Sequence, residues 1–281
     1  MNNIDTLPVT KLRDLTPQTQ SVIPTGMTEL DDALGIGGIP RGRVIEIYGE
    51  ADSGKSALAL HIARRSYGRA LYIDADHHLS KSMLWASDID PGALYLFHAE
   101  TLEDALDVCK LAAPAFDVIV IDSLPALPTI AEIRRTNDML MTYPIRNDTQ
   151  AAVLSRALPR LMPTLHTTGC TLIVINQLRS KPGVVYETPD YSTGGNALKY
   201  YSAVRLETHR REPIREYATC NGGKTIGQRL AVRVVKNKCA APGRRAEIYW
   251  GYERGFVEAR GAQVAMALQW AGDVRKNCEE A

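Results

Sequence analysis

The chain has 281 residues, 45% of them hydrophobic, and a formal net charge of +1. That length suits one large α/β domain with appendages, and so even a charge excludes a global field that would recruit nucleic acid or membrane; any polyanion must be held by local patches. Five scattered cysteines (Cys109, Cys170, Cys220, Cys239, Cys278) make no C-x-x-C pair. The polar, proline-bearing N-terminus has no signal-peptide core, and no run of about 18 apolar residues offers a membrane span. The expectation is a cytoplasmic protein with reduced thiols.

In chain order, residues 1–21 lack sustained periodicity and read as an N-terminal arm, followed by a core over 22–260 and a short helix and tail over 261–281. Residues 22–26 are extended. Thr28 is placed to cap a short helix ending at Gly35. The β-branched run 44–47 predicts a buried strand, and the apolar-periodic stretch after Ser56 predicts a helix. Strands are predicted over 70–74, 94–98, 117–122 and 171–175. Helices are predicted over 79–86, 102–112 and 148–166, with Pro159 a kink or early break. Residues 139–147 read as irregular. Residues 178–195, rich in Gly, Pro, Ser and Thr, predict a long functional loop. Runs at 203–207, 229–235 and 247–250 look hairpin-like, 219–224 a turn, and 264–270 a last helix. The alternation predicts an α/β fold: a mostly parallel twisted central sheet flanked by helices, with antiparallel strands added at one edge.

The strand at 44–47 runs into Gly49-Glu50-Ala51-Asp52-Ser53-Gly54-Lys55-Ser56-Ala57, and a helix follows. Gly49, Gly54, Lys55 and Ser56 satisfy G-x-x-x-x-G-K-[ST] between the strand and helix that this motif requires. Backbone N–H groups of such a loop converge on one point, and the helix N-terminus adds partial positive charge. Lys55 is expected to reach the β- and γ-phosphates of a nucleotide, and the Ser56 hydroxyl to ligate Mg²⁺. Asp122 closes an apolar strand, where it suits either the same Mg²⁺ or a helix N-cap. Asp76, near another strand end, is a candidate general base toward water. Gln177 ends the strand at 171–175, placed to sense a γ-phosphate.

Several blocks together resemble the bacterial RecA recombinase family: residues 49–56, 72–77, 117–127, 175–177, 192–205 and 234–242. The likeness spans residues 23 to 257 and implies a RecA-like P-loop NTPase core; the family's C-terminal domain has no counterpart after Val257. The resemblance implies ATP and Mg²⁺ held by residues 49–57 and Asp122, with Ser56 and Asp122 on the metal. Asp76 stands where the family carries a catalytic glutamate, and Gln177 matches the glutamine that couples nucleotide state to DNA. Lys236 and Lys238 match lysines that reach a neighbouring subunit's γ-phosphate; with Lys199 and Tyr200 they would form the subunit interface. DNA contacts are implied for Arg146, Asn147, Arg156, Arg160, Arg179, Lys181, Gly194, Gly195 and Asn196. The implied partners are single-stranded DNA, homologous duplex DNA and further copies of the chain in an ATP-dependent helical filament or ring, with no membrane. The implied function is a DNA-dependent ATPase that forms nucleoprotein filaments for recombination and repair. The alternative is a paralogue that binds ATP as a regulator or assembly partner, with weak hydrolysis. Departures from the family pattern bear on that choice: Asp76 is one methylene shorter than glutamate, Ser80 and Met83 replace residues near the adenine, and Ala152 and Pro159 fall where DNA-contacting arginines are expected.

Overall fold

The computed structural model describes residues 20–80, 84, 90, 92–138, 148–180, 190–192, 194–215, 225–252 and 255–257. Its centre is made by the apolar runs. Val44–Gly49 (β3), Ala70–Asp74 (β4) and Val118–Asp122 (β6) have successive residues buried, so both faces of each strand are covered. Such runs suit a parallel sheet sandwiched between helices. β3 pairs in parallel with Thr171–Ser180 (β7) on one side and Val204–Arg215 (β9) on the other. Beyond β7 come β6, β4 and Leu94–Phe97 (β5), all parallel. Beyond β9 come Thr225–Asn237 (β10), Arg245–Gly251 (β11) and Gly255–Val257 (β12), all antiparallel. The order is β12-β11-β10-β9-β3-β7-β6-β4-β5, and Asp190–Ser192 (β8) pairs with the far end of β7. A separate ribbon joins Val22–Ile23 (β1) to Ile39–Pro40 (β2).

Two hydrophobic layers hold helices to this sheet. On one face Lys55–Arg65 (α2) buries Leu58, Leu60 and Ile62 against Ile45, Ile47 and Val120, and Thr28–Leu34 (α1) adds Leu30 and Leu34. On the other, Leu102–Ala112 (α3) and Asp148–Thr168 (α5) pack Leu102, Leu106, Leu158 and Leu161 over Ile119, Ile121 and Leu172. Each fully buried side chain of this kind contributes about 1.5–3 kcal/mol. Thr101 caps α3 by accepting from the Asp104 N–H at 3.1 Å. Two further helices among the described residues are Ile130–Asp138 (α4) and Gly195–Tyr201 (α6), neither of which the sequence pattern predicted. Among the described residues no helix is long and apolar enough to cross a membrane.

Several expectations need correction. Thr28 is the first helical residue rather than the cap; Asp31 reaches back instead, its carboxylate accepting from the Thr25 N–H at 2.9 Å and the Thr25 hydroxyl at 2.8 Å. Pro159 and Pro163 both lie inside α5 without ending it. The buried Leu154, Leu158, Leu161 and Leu165 anchor the helix on either side of each missing hydrogen bond. The loop expected from 178 starts later, because β7 continues to Ser180 and its end pairs with β8. β9 and β10 both run well beyond the predicted strands. The predictions for residues 1–19, for 81–83 and 85–86 within the helix at 79–86, for 139–147, for 181–189 and 193 within the loop at 178–195, for the turn at 219–224 and for the helix at 264–270 lie outside the described residues.

Candidate nucleotide site and subunit edge

β3 delivers the phosphate loop to the carboxyl edge of the sheet, flanked by both of its parallel neighbours. Gly49 is level with Gln177 on β7 and Thr208 on β9. A Cβ on Gly49 would lie 2.3 Å from the Thr208 carbonyl oxygen and 2.7 Å from Ser53 Oγ, so only glycine fits there. Gly54 needs its hydrogen for two reasons: its φ is +78°, and a Cβ would meet Leu230 Cδ1 at 2.4 Å. Ser53 Oγ donates to the Glu50 carbonyl at 2.8 Å and shares a 2.7 Å hydrogen bond with Thr208 Oγ1. The loop is thus fastened to β9 as well as to β3. α2 starts at Lys55 with no side chain capping its N-terminus, leaving its first N–H groups for a ligand.

Lys55 Nζ donates to the Glu50 carbonyl at 2.5 Å, folded back over the loop. Burial lowers its pKa, while Asp122, Asp52 and Glu50 pull it back up. Asp122, at the end of β6, is largely buried. Burial raises its pKa, opposed by hydrogen bonds from the Ser56 and Tyr72 hydroxyls. One hydroxyl and one carboxylate held together are hard oxygen donors of the kind Mg²⁺ takes alongside phosphate oxygens and water. The uncapped helix end, the Cβ-free loop and this oxygen pair fit a magnesium-bound nucleoside triphosphate.

Asp76 joins the same site: its carboxylate accepts from Ser123 Oγ at 2.9 Å, one residue beyond Asp122. Asp74, level with Asp122, is occupied structurally, accepting from the His78 and Leu79 N–H groups at 3.2 and 3.0 Å. Gln177 is exposed at the point where β7 passes between the phosphate loop on β3 and Asp122 on β6. Lys55, Ser56, Asp76, Asp122 and Gln177 therefore gather at one sheet edge. The residues expected at the subunit interface form a second group. Lys236 Nζ donates to the carbonyls of Lys199 and Tyr200 at 2.5 and 2.9 Å, and Lys238 Nζ to that of Tyr200 at 3.0 Å. Lys238 lies just past the end of β10, yet both ammonium groups sit on the last carbonyls of α6. Burial, and the charges of Lys238 and Arg205, lower the Lys236 pKa. Tyr200 is 70% exposed beside them.

The residues expected on DNA are brought together only in part. Arg156 and Arg160 are exposed one turn apart on α5. Gly194 and Gly195 adopt positive φ and pack α6 tightly: a Cβ on them would come within 2.8 Å of Leu124 and 2.7 Å of Ala151. Asn196 is exposed at the start of α6. Arg146, Asn147, Lys181 and the Arg179 side chain lie outside the described residues. Other site residues gave no signal in the sequence. Tyr72 and Ser123 orient the two carboxylates. A cleft of about 280 Å³ beside β9, β10 and β11 is lined by Glu50, His209, Arg210, Arg211, Arg233 and Arg245. A buried polar group joins three strands: Glu46, fully buried, accepts from Asn176 Nδ2 at 3.0 Å and Arg205 Nε at 2.5 Å.

Comparison with known proteins bears on this arrangement. The family described as the RecA N-terminal domain matches residues 5–257. Protein RecA of Mycobacteroides abscessus is 41% identical over 275 residues, covering 96% of this chain and 76% of the relative. Protein RecA of Acidothermus cellulolyticus is 42% identical over 262 residues, covering 91% and 72%. Among solved structures, the RadB recombinase superposes with a TM-score of 0.61 at 20% identity, covering 84% of this chain and 99% of that one, a likeness of fold.

Proposed function

This chain belongs to the RecA family, and from that premise we propose that it is an ATP-dependent recombinase that assembles on single-stranded DNA and pairs it with homologous duplex. The family and fold carry a P-loop ATPase; the DNA dependence, filament and strand exchange are the proposal. The observation that supports it best is the place of Gln177, on the strand between the phosphate loop and Asp122. A residue there meets the nucleotide on one side and leads directly into the segment after β7.

In this reading the loop amides of residues 49–54, the α2 N-terminus and Lys55 bind and orient the triphosphate. Ser56 and Asp122 would hold Mg²⁺, with Tyr72 fixing the carboxylate; the ion would supply positive charge against the triphosphate as it reacts. Asp76, oriented by Ser123, accepts a proton from the attacking water. Lys236 and Lys238 leave the α6 carbonyls to meet a neighbour's γ-phosphate, which makes assembly depend on ATP. Arg156, Arg160 and the arginine-lined cleft on β9–β11 supply local positive charge for DNA phosphates on a chain with almost no net charge. Such a protein works in the cytoplasm.

The test is ATP hydrolysis with and without single-stranded DNA. Strong stimulation supports the recombinase. Slow hydrolysis that DNA leaves unchanged supports the alternative, an ATP-binding regulator or assembly partner.

A further inference from the structure

We propose that Thr208 is a positioning residue for the phosphate loop: through the Ser53 hydroxyl it keeps the Glu50 carbonyl in place when Lys55 leaves that carbonyl for a triphosphate. The proposal rests on the reading of this loop as a nucleotide site and needs neither DNA nor assembly. Thr208 touches no phosphate in that reading; it acts through Ser53.

The geometry is a chain of donors that ends on one carbonyl. Ser53 and Thr208 are both fully buried. Ser53 Oγ donates its single proton to the Glu50 carbonyl at 2.8 Å. The 2.7 Å bond between Ser53 Oγ and Thr208 Oγ1 must therefore use the Thr208 proton, whose other acceptor, the Tyr48 carbonyl, is further away at 3.4 Å. A backbone carbonyl has two lone pairs. At Glu50 one faces Ser53 and the other faces the Lys55 ammonium at 2.5 Å. The backbone between these residues is not relaxed: Asp52 has a φ of +56°, a left-handed conformation that is unfavourable for a residue with a Cβ. Thr208 is a rigid anchor for such a loop, because it lies within β9 and is level with Gly49, where the loop begins.

The free and bound states use this chain differently. In the free protomer two donors hold the Glu50 carbonyl. A triphosphate draws the Lys55 ammonium to its own oxygens, and the carbonyl is left with Ser53 alone. The loop must keep its shape at that moment, because its converging N–H groups are what the phosphates meet. Without the Thr208 hydroxyl, Ser53 Oγ is buried with one partner instead of two and is no longer held toward Glu50. In the free protein Lys55 masks the loss; in the bound protein nothing does. The penalty therefore falls on the bound state and appears as weaker nucleotide binding, since a ligand responds only to such differences between states. The plainer role for Thr208 is that of a buried hydroxyl finding a partner, as most buried hydroxyls do. That role weighs on free and bound protein alike and leaves affinity untouched.

The experiment is titration of a fluorescent, non-hydrolysable ATP analogue with magnesium into dilute protein without DNA, at a temperature where melting curves show every variant folded. The variants are Thr208→Val, which keeps the shape and loses the hydroxyl; Thr208→Ser, which keeps the hydroxyl; Ser53→Ala; and S53A combined with T208V. T208V is expected to bind about five- to tenfold more weakly than wild type, the net effect of one buried hydrogen bond, and T208S within about twofold of wild type. Because Thr208 acts through Ser53, adding T208V to S53A should weaken binding by less than about twofold more. Should T208V fold poorly, Thr208→Ala takes its place and is judged against T208S in the same way. Binding by T208V within about twofold of wild type, with or without a lower melting temperature, makes the hydroxyl merely structural and overturns the proposal. So does a T208S that binds as poorly as T208V, or full additivity in the double variant. A wild type that does not bind the analogue removes the nucleotide site and this proposal together. Hydrolysis that single-stranded DNA leaves unchanged, measured in parallel, counts against the recombinase reading alone.

Discussion

Replacing Lys236 and Lys238 together by alanine separates the free protomer from the assembly. In the protomer the two ammonium groups make three hydrogen bonds to the last carbonyls of α6, at 2.5, 2.9 and 3.0 Å. A cation at a helix C-terminus contributes about 0.3–1 kcal/mol when exposed and up to about 2 kcal/mol when partly buried. Lys236 is half-buried but its partner Tyr200 is exposed, so solvent screening keeps the pair near 1–2 kcal/mol, about 3–6 °C in Tm for a domain of this size. The register also says what the lysines cannot do. Lys236 is level with Arg205 and thence Glu46, three residues before Gly49, which puts it about 10 Å down the sheet from its own phosphate loop. The double variant should therefore bind nucleotide at dilute protein within about twofold of wild type, melt slightly lower, and lose ATP-analogue-dependent assembly by at least about tenfold, one such contact to phosphate exceeding about 1.4 kcal/mol. Thermal melting, fluorescent-nucleotide titration and light scattering measure the three quantities. Unchanged assembly would sink the shared-site argument, and loss of nucleotide binding by the dilute protomer would put the lysines in their own site.

Other outcomes follow from the same geometry. Lys55→Ala removes the side-chain cation that folds over the loop; hydrolysis should fall by at least about a hundredfold, and full activity would remove the P-loop from the mechanism. Asp76→Glu adds the missing methylene, and turnover should rise if the longer carboxylate keeps its bond to Ser123; a flat or lower rate in steady-state assays means the pocket is shaped around aspartate. His61 gives a pH dependence. Its Nε2 faces the Thr25 carbonyl at 2.7 Å, and burial lowers its pKa below 6.5, so the folded ring stays neutral where the unfolded one protonates. Unfolded chains then bind more protons, so stability is full above about pH 6.5 and falls as pH drops through the window below it. His61→Gln should flatten that acid limb in melting curves between pH 7.5 and 5, and an identical limb would assign it to other groups.

The parts of this protein legible in its sequence are those whose determinants lie close together along the chain. The phosphate loop is nine consecutive residues, and Asp122 announces itself by closing an apolar run. The buried strands were readable from their continuous apolar runs, and α3 from its amphipathic period. What was hidden depends on distant partners. Tyr72 gains meaning only because Asp122 sits level with the next residue but one on the neighbouring strand, and Thr208 because it abuts Gly49. The outer end of β9, Arg210 to Arg215, is mostly charged and exposed, so it shows no hydrophobic alternation; its pairing with β10 makes it a strand. Pro159 misled because local backbone chemistry argues for a break, whereas the leucines on the buried face of α5 keep the helix whole. Thr28 was expected as the cap, but the helix takes it in as its first residue, and Asp31 ties back to Thr25, a contact that depends on how the preceding turn folds.

Glu46 also has consequences during synthesis. Its hydrogen-bond partners Asn176 and Arg205 lie 130 and 159 residues downstream. At about 5–20 residues per second, the ribosome delivers the second of them roughly 8–30 seconds after the first turn of β3 has emerged. Through that interval the carboxylate is without the two groups that let it enter a dry interior, and an unpaired charge there costs several kcal/mol. The pairing that buries Glu46 is therefore completed only once β7 and β9, the two strands that flank the phosphate-loop strand, have both been made.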